Sequence, residues 1–283
     1  MDSYVTYGWL FLSALAAGVL NSIAGGGTLL TFPALLAVVS PVVANASSTV
    51  ALVPGSLAGA WGYRRELGES AAWASLLFWP SILGGALGAL LVSRLDEWYF
   101  DLLIPWLILT AAVLFLLQPL MTRLVRTRPA DQAPRKRSII LVIFFQFLVA
   151  IYGGYFGAGI GILMLSALGL MGMGDIHRMN ALKTLLAACI NAVAVAVFVL
   201  EAKVNWGYAL SMAVAAVIGG YLGARAARRL NRNLVRWVVI VIGFGLAAHF
   251  FYRSLGKPRS PPAESQHQTV IMSPSLERAS RSS

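Results

Sequence analysis

Residues 84–89 read Gly-Gly-Ala-Leu-Gly-Ala, and residues 219–224 read Gly-Gly-Tyr-Leu-Gly-Ala. A second motif is spaced in the same way, since residues 45–49 (Asn-Ala-Ser-Ser-Thr) are matched by residues 180–184 (Asn-Ala-Leu-Lys-Thr). In both cases the second copy lies 135 residues after the first. Repetition of separate motifs at one long offset indicates that the chain consists of two homologous halves.

The composition is typical of an all-α polytopic membrane protein. Of the 283 residues, 58% are hydrophobic and only 12% are charged, and the mean hydropathy is +0.75. Soluble domains carry about 25% charged residues. The net charge of +11 comes from basic residues clustered between apolar stretches. The positive-inside rule places such clusters in the cytoplasm, so they indicate contact with a lipid bilayer and not with nucleic acid.

Ten apolar segments follow one another, and two of them are unusually short. Leu29–Val39 and Ile160–Met171 come directly after glycine-rich stretches at residues 25–27 and 157–159. A half-length helix after a glycine turn predicts a broken or re-entrant helix, whose open backbone must face the interior of the bundle. The other segments have about 20 residues, enough to cross about 30 Å of hydrocarbon. They are Tyr4–Ala24, Ala44–Tyr63, Ala71–Val92, Trp98–Met121, Ser138–Phe156, Met179–Leu200, Trp206–Ala224 and Leu234–Tyr252.

The repeat divides the chain into four parts. Residues 1–122 are the first transmembrane repeat, 123–137 a basic cytoplasmic linker, 138–256 the second transmembrane repeat, and 257–283 a disordered tail rich in Ser, Pro, Arg and Gln. Each repeat is predicted to hold one Gly-broken or re-entrant helix and three spanning helices. If the broken segment makes no net crossing, the halves are inverted. If it makes one, they are parallel, and a basic cluster lies outside the cell. We favour the inverted repeat.

The motifs resemble those of a known family. Residues 21–33 (Asn-Ser-Ile-Ala-Gly-Gly-Gly-Thr-Leu-Leu-Thr-Phe-Pro), followed by residues 45–49, are similar to the opening of the TauE/SafE family of sulfite exporters. Residues 156–161 and 177–184 resemble the second half of that family, although Ala158 interrupts the glycine run and no proline matches Pro33. The resemblance covers about Leu10 to Tyr252. It implies an inner-membrane permease for small anions, commonly sulfite, sulfonates or other organosulfur compounds.

The two glycine breaks are the first candidate substrate-binding elements. A break frees backbone amides at the N-terminus of the following half-helix, and those amides together with the helix dipole favour an anion. The alternative is close helix packing, which we favour for the Gly-Gly-x-Leu-Gly-Ala motifs because small residues are enriched at membrane helix contacts. The glycines assigned to the substrate site are Gly25, Gly26, Gly27, Gly157 and Gly159.

Two matched polar pairs are the second group of candidates. Asn45 and Thr49 are four residues apart, as are Asn180 and Thr184, so each pair projects from one face of a helix. Their amide and hydroxyl groups are able to donate hydrogen bonds to the oxygens of an anion. The structural alternative is hydrogen bonding between helices, worth about 0.6 kcal/mol each. Both interpretations remain open.

Lys183 is the one lysine or arginine well inside a predicted span. Charge within a membrane is costly and usually functional, and a cation beside free backbone amides suits an anionic substrate. The alternative is snorkelling toward the interface. No acidic residue lies deep in any span, which argues against a carrier of metal cations.

These features predict a secondary transporter that moves a small anion, most simply sulfite, a sulfonate or a related organic anion, across the inner membrane by alternating access. Coupling to protons or sodium and the oligomeric state stay open. The alternative is a non-transporting membrane scaffold or accessory subunit. No catalytic constellation, nucleotide-binding motif, metal site or cofactor site is recognisable, so we do not expect an enzyme.

Overall fold

The computed structural model describes residues 3–23, 26–62, 64–126, 136–170, 176–226 and 232–256, and these residues form α-helices joined by short turns. The predicted tail at 257–283 and most of the predicted linker lie outside the described residues, but the flanking helices extend into both ends of that linker. The helices are α1 (Ser3–Ile23), α2 (Thr28–Leu36), α3 (Pro41–Gly62), α4 (Arg64–Glu69), α5 (Ala71–Arg94), α6 (Glu97–Arg126), α7 (Lys136–Tyr155), α8 (Ile160–Leu170), α9 (Ile176–Leu200), α10 (Trp206–Ala226) and α11 (Arg232–Gly256).

Each of the ten predicted segments is a helix, so the all-helical fold class is confirmed. The short helix α4 was not predicted, because its sequence Arg-Arg-Glu-Leu-Gly-Glu contains no apolar run. Six helices in the described part of the chain, α1, α5, α6, α9, α10 and α11, are long and apolar enough to cross a membrane. Helix α3 has 22 residues but carries a polar stretch at residues 45–49, which lowers its hydropathy.

The chain reverses direction at the first glycine break. Gly26 has a φ of +89°, a conformation that glycine adopts without steric cost, and the nine-residue helix α2 follows. Two contacts join α2 to α1. A β-carbon at Gly27 would lie 2.9 Å from the carbonyl oxygen of Ala17, and the hydroxyl of Ser13 donates to the carbonyl of Leu30 at 3.0 Å. Gly27 thus lies beside Ala17, and Leu30 lies beside Ser13, so α2 is antiparallel to α1.

Helix α3 then runs in the same direction as α1. Thr31 of α2 contacts Ser48, with 2.6 Å between the hydroxyl oxygens. A β-carbon at Gly27, one turn earlier in α2, would lie 3.4 Å from Leu52. Helices α1 and α2 thus form a hairpin. Helix α3 begins at the same end of the bundle as α1.

The second glycine break also places glycines of positive φ directly before a short helix. Gly157 and Gly159 have φ values of +81° and +82°, and the 11-residue helix α8 begins directly after them. The hydroxyl of Tyr152 donates to the carbonyl of Ala158 at 2.8 Å, which ties the turn to the end of α7. Side chains of α5, α7, α8 and α9 share one buried apolar cluster next to this break.

Small residues allow two pairs of helices to pack at very short distance, as predicted for the Gly-Gly-x-Leu-Gly-Ala motifs. Helix α5 packs along α7, and a β-carbon at Gly88 would overlap the carbonyl oxygen of Ile151. Helix α1 packs along α10, and a β-carbon at Gly219 would overlap the carbonyl oxygen of Leu15. Within each pair the contacts advance together along both helices, so each pair is parallel.

Candidate functional site

Both glycine breaks pack against neighbouring residues of α6. A β-carbon at Gly26 would lie 2.5 Å from the ring of Phe115, and one at Gly159 would lie 3.2 Å from Leu114. The rings of Phe32, in α2, and Phe156, at the second break, meet edge to face at 5.2 Å. The two breaks, which are more than 100 residues apart in sequence, are thus brought together inside the bundle. Gly25 lies outside the described residues.

The amides at these breaks are those that a helix leaves without an intrahelical partner. In α8 the first turn is closed by the bond from the Ile162 N–H to the Gly159 carbonyl, at 3.0 Å. In α2 the N–H of Leu29 bonds to the Gly26 carbonyl at the same distance. The N–H groups preceding each bond point out of the N-terminus, where the helix dipole is positive. The N-terminus of a helix is in general favourable for a negative charge.

Asn45 connects the two halves. Its Nδ2 donates to the carbonyl of Tyr155, the last residue of α7, at 2.9 Å, so the amide of α3 caps the helix that precedes the second break. Asn45 is only 1% exposed, and its Oδ1 has no hydrogen-bond partner in the described part of the molecule.

Lys183 lies against the first turn of α8. Its Cδ is 3.2 Å from the position that a β-carbon of Gly161 would take, so the aliphatic stem passes over the glycine backbone. Its ammonium donates to Oδ1 of Asn180 at 3.2 Å, one turn earlier in α9. The side chain is half-buried. The absence of a β-carbon at Gly161 is what lets the lysine approach the N-terminus of α8 so closely.

Thr49 and Thr184 make the same local bond in the two halves. Each hydroxyl donates to the carbonyl four residues earlier, Thr49 to Asn45 at 2.8 Å and Thr184 to Asn180 at 2.7 Å. The hydrogen that was expected to be offered to a substrate is therefore used within the helix. Both hydroxyl oxygens keep their capacity to accept a hydrogen bond.

Comparison with known proteins identifies the family of this chain. The family model described as "Sulfite exporter TauE/SafE" matches residues 10–250. The chain belongs to the TauE/SafE family. It is therefore a multi-pass protein of a membrane transporter family, as predicted from its sequence, and this membership argues against an enzyme.

Several known proteins are similar to this chain over most of their length. A "Probable membrane transporter protein" of Haemophilus influenzae is 27% identical over 247 residues, which cover 86% of this chain and 93% of the relative. "Probable membrane transporter protein YfcA" of Escherichia coli K12 is 28% identical over 258 residues, covering 91% and 94%. "Probable membrane transporter protein ORF9" of a Sinorhizobium species is 28% identical over 259 residues, covering 89% and 94%. No solved structure matches the chain.

A polar contact beside the first break of this TauE/SafE protein was not predicted from the sequence. Thr31 and Ser48 are fully buried and hydrogen-bonded to each other, and the Thr31 hydroxyl also lies 3.2 Å from the carbonyl of Gly27. Ser48 precedes Lys183 by the repeat offset of 135 residues. Applying the offset to Lys183 would have identified Ser48, and it shows that the two halves differ at this position.

Proposed function

We propose that this chain is a secondary transporter that moves a small anion, such as sulfite or a sulfonate, across the inner membrane by alternating access. The observation that carries the proposal is the position of Lys183, whose stem lies against Gly161 at the N-terminus of α8. A cation and a set of free backbone amides then attract the same negative charge. The proposed substrate site comprises Gly25, Gly26, Gly27, Asn45, Thr49, Gly157, Gly159, Asn180, Lys183 and Thr184.

Charge distribution supports an anion as the substrate. The acidic residues of the described helices lie close to helix ends, as Glu97 and Asp101 do at the start of α6. Among the described residues no carboxylate pairs with Lys183, and a charge that is uncompensated within a membrane is costly. An anionic substrate supplies the missing countercharge.

Helix directions support two inverted repeats. Helices α1 and α2 form a hairpin with no net crossing, and α3 follows in the direction of α1. Helix α7, the counterpart of α1, runs parallel to α5, and its last residue meets Asn45 near the start of α3. The pairing of α1 with α10 has its counterpart in the pairing of α7 with α5. Such a pair of halves around a shared site suits alternating access by rocking of one half against the other.

The test is uptake into proteoliposomes that contain the purified protein. Labelled sulfite, sulfate, thiosulfate and small sulfonates would be offered with and without proton or sodium gradients. We expect saturable flux of at least one anion, and its loss in Lys183→Met, which keeps most of the stem and removes the charge. Lys203→Met is the matched control, because Lys203 follows α9 and lies outside the proposed site.

Flux that persists in Lys183→Met would leave a carrier whose lysine is an interfacial anchor. Absence of flux for every anion, from protein that is folded by size-exclusion chromatography and thermal melting, would contradict the proposal. It would favour a non-transporting scaffold or accessory subunit instead. Dependence of the rate on one gradient would identify the coupling ion.

A further inference from the structure

Asn45 has a buried hydrogen-bond acceptor that nothing in the described part of the protein uses. Its Nδ2 is held by the Tyr155 carbonyl, and this bond fixes the orientation of the carboxamide, since a flipped amide would place two oxygens against each other. Oδ1 then has no donor within reach, although only 1% of the residue is exposed. An unsatisfied buried acceptor costs about 1–3 kcal/mol.

The equivalent atom in the second half has a partner. Oδ1 of Asn180 accepts from the ammonium of Lys183, three residues further along α9. Three residues after Asn45 the chain has Ser48, whose hydroxyl is engaged with Thr31 at 2.6 Å. The asparagine is repeated and its donor is not, so one of the two acceptors is left free.

The free acceptor lies beside the proposed substrate site. Oδ1 shares a planar carboxamide with Nδ2, which bonds to the residue directly before Phe156 and the second break. That break also offers donors, the N-terminal amides of α8 and the ammonium of Lys183, while the Ala158 carbonyl is already used by Tyr152 and the amide oxygen of Asn191 lies 3.9 Å from the position that a β-carbon of Gly157 would take. An anion that has only acceptor atoms would satisfy those donors and leave Asn45 Oδ1 without a partner.

We propose that the transported anion itself carries a hydrogen-bond donor, and that Asn45 Oδ1 accepts it. This inference rests on the proposed function and narrows the substrate class to singly charged sulfur oxyanions with a hydroxyl group. Hydrogensulfite and hydroxyalkanesulfonates belong to that class, whereas sulfate and simple alkanesulfonates do not. The amides of α8 and Lys183 bind the charged end of the anion, and Asn45 Oδ1 accepts a hydrogen bond from its hydroxyl group.

A matched pair of inhibitors tests the inference. 2-Hydroxyethanesulfonate and propane-1-sulfonate have the same charge and nearly the same shape, and differ by a hydroxyl in place of a methyl group. Each would compete with labelled sulfite for uptake into proteoliposomes containing the full-length protein. We expect the hydroxyl compound to inhibit at about 5- to 150-fold lower concentration, the ratio that corresponds to 1–3 kcal/mol for an unsatisfied buried acceptor. The methyl compound is the more hydrophobic, so non-specific partitioning would bias the result the other way.

The second measurement repeats this ratio in Asn45→Leu, with Ser56→Ala as the control on the same helix. The Ser56 hydroxyl bonds only to the Leu52 carbonyl within α3 among the contacts described. We expect the ratio to fall to near one in Asn45→Leu and to persist in Ser56→Ala. If Asn45→Leu does not fold, Asn45→Ala takes its place, and the ratio in the wild-type protein still decides whether the anion carries a donor.

Equal inhibition by the two sulfonates, or inhibition by neither, in protein that transports sulfite would overturn the inference and leave the anion transporter intact. A ratio that survives in Asn45→Leu would also overturn it, because the hydroxyl would then be recognised elsewhere. Absence of sulfite flux in the wild-type protein would overturn the proposed function, and the inference with it.

Discussion

Replacing Gly88 by alanine tests the tight packing of α5 on α7. The added methyl group would overlap the carbonyl oxygen of Ile151 and lie 2.7 Å from the backbone nitrogen of Tyr155. Non-bonded heavy atoms pack best at about 3.5–4.0 Å. Because both obstructing atoms are backbone, no side chain can rotate away, and the two helices must separate by about 1 Å.

The expected cost follows from two opposing effects. Overpacking a close contact costs about 1–3 kcal/mol, and two backbone contacts place Gly88→Ala at the upper end of that range. Alanine is the better helix former by about 0.8–1.0 kcal/mol. The net loss of stability should therefore be about 2 kcal/mol. Separation at Gly88 also moves Tyr155, so the hydrogen bond from Asn45 should weaken as well.

The assay is thermal unfolding of purified protein in detergent, followed by tryptophan fluorescence and by the monodisperse fraction in size-exclusion chromatography. Gly245→Ala is the control, because a β-carbon at Gly245 would meet open space. We expect Gly245→Ala to melt at or above the wild-type temperature and Gly88→Ala clearly below it. Equal melting temperatures for the two variants would refute the packing argument.

Three further predictions use the same melting assay. Ala202 has a φ of +52°, and α9 is closed there by bonds from the N–H of Ala202 to the Val199 carbonyl and from the N–H of Lys203 to the Phe198 carbonyl. Because glycine adopts positive φ without steric cost, Ala202→Gly should stabilise the protein by up to about 1 kcal/mol. A loss of stability would contradict the assigned cap. Ser81→Ala removes the acceptor of the buried Gln146 amide, at 2.9 Å, and should cost about 1 kcal/mol, whereas Ser56→Ala should be neutral. Arg94→Gln breaks the 2.8 Å ion pair with Glu201, but the arginine is 70% exposed, so a loss above about 1 kcal/mol would contradict a screened surface pair.

The sequence predicted the helices well because hydrophobic length decides them. Ten apolar segments became ten helices, and the glycine breaks fell where Gly26, Gly157 and Gly159 adopt positive φ. Local hydrogen bonds were also within reach, since the bonds of Thr49 and Thr184 to the carbonyls four residues earlier depend on helical spacing alone. Helix α4 was missed because charged residues give it no hydrophobic signal.

Contacts between distant parts of the chain could not be predicted in the same way. The bond from Asn45 to the Tyr155 carbonyl joins residues 110 positions apart, and no local pattern indicates it. The convergence of both breaks on Leu114 and Phe115 likewise depends on how the halves pack. Leu114 and Phe115 are ordinary apolar residues in the middle of α6, and nothing in the sequence indicates that each contacts a different break.

The position at which the two motif copies carry Ser48 and Lys183 is the most informative about transport. Two identical halves would have either a lysine at both 48 and 183 or a serine at both. Two lysines would bring two positive charges into the membrane, and two serines would bring none. With Ser48 in one half and Lys183 in the other, the proposed site has one lysine charge, one asparagine oxygen that is occupied and one that has no partner among the described residues. A small anion with its charge at one end and a hydroxyl at the other is asymmetric in the same sense, so we infer that the difference between Ser48 and Lys183 adapts a repeated scaffold to an asymmetric substrate.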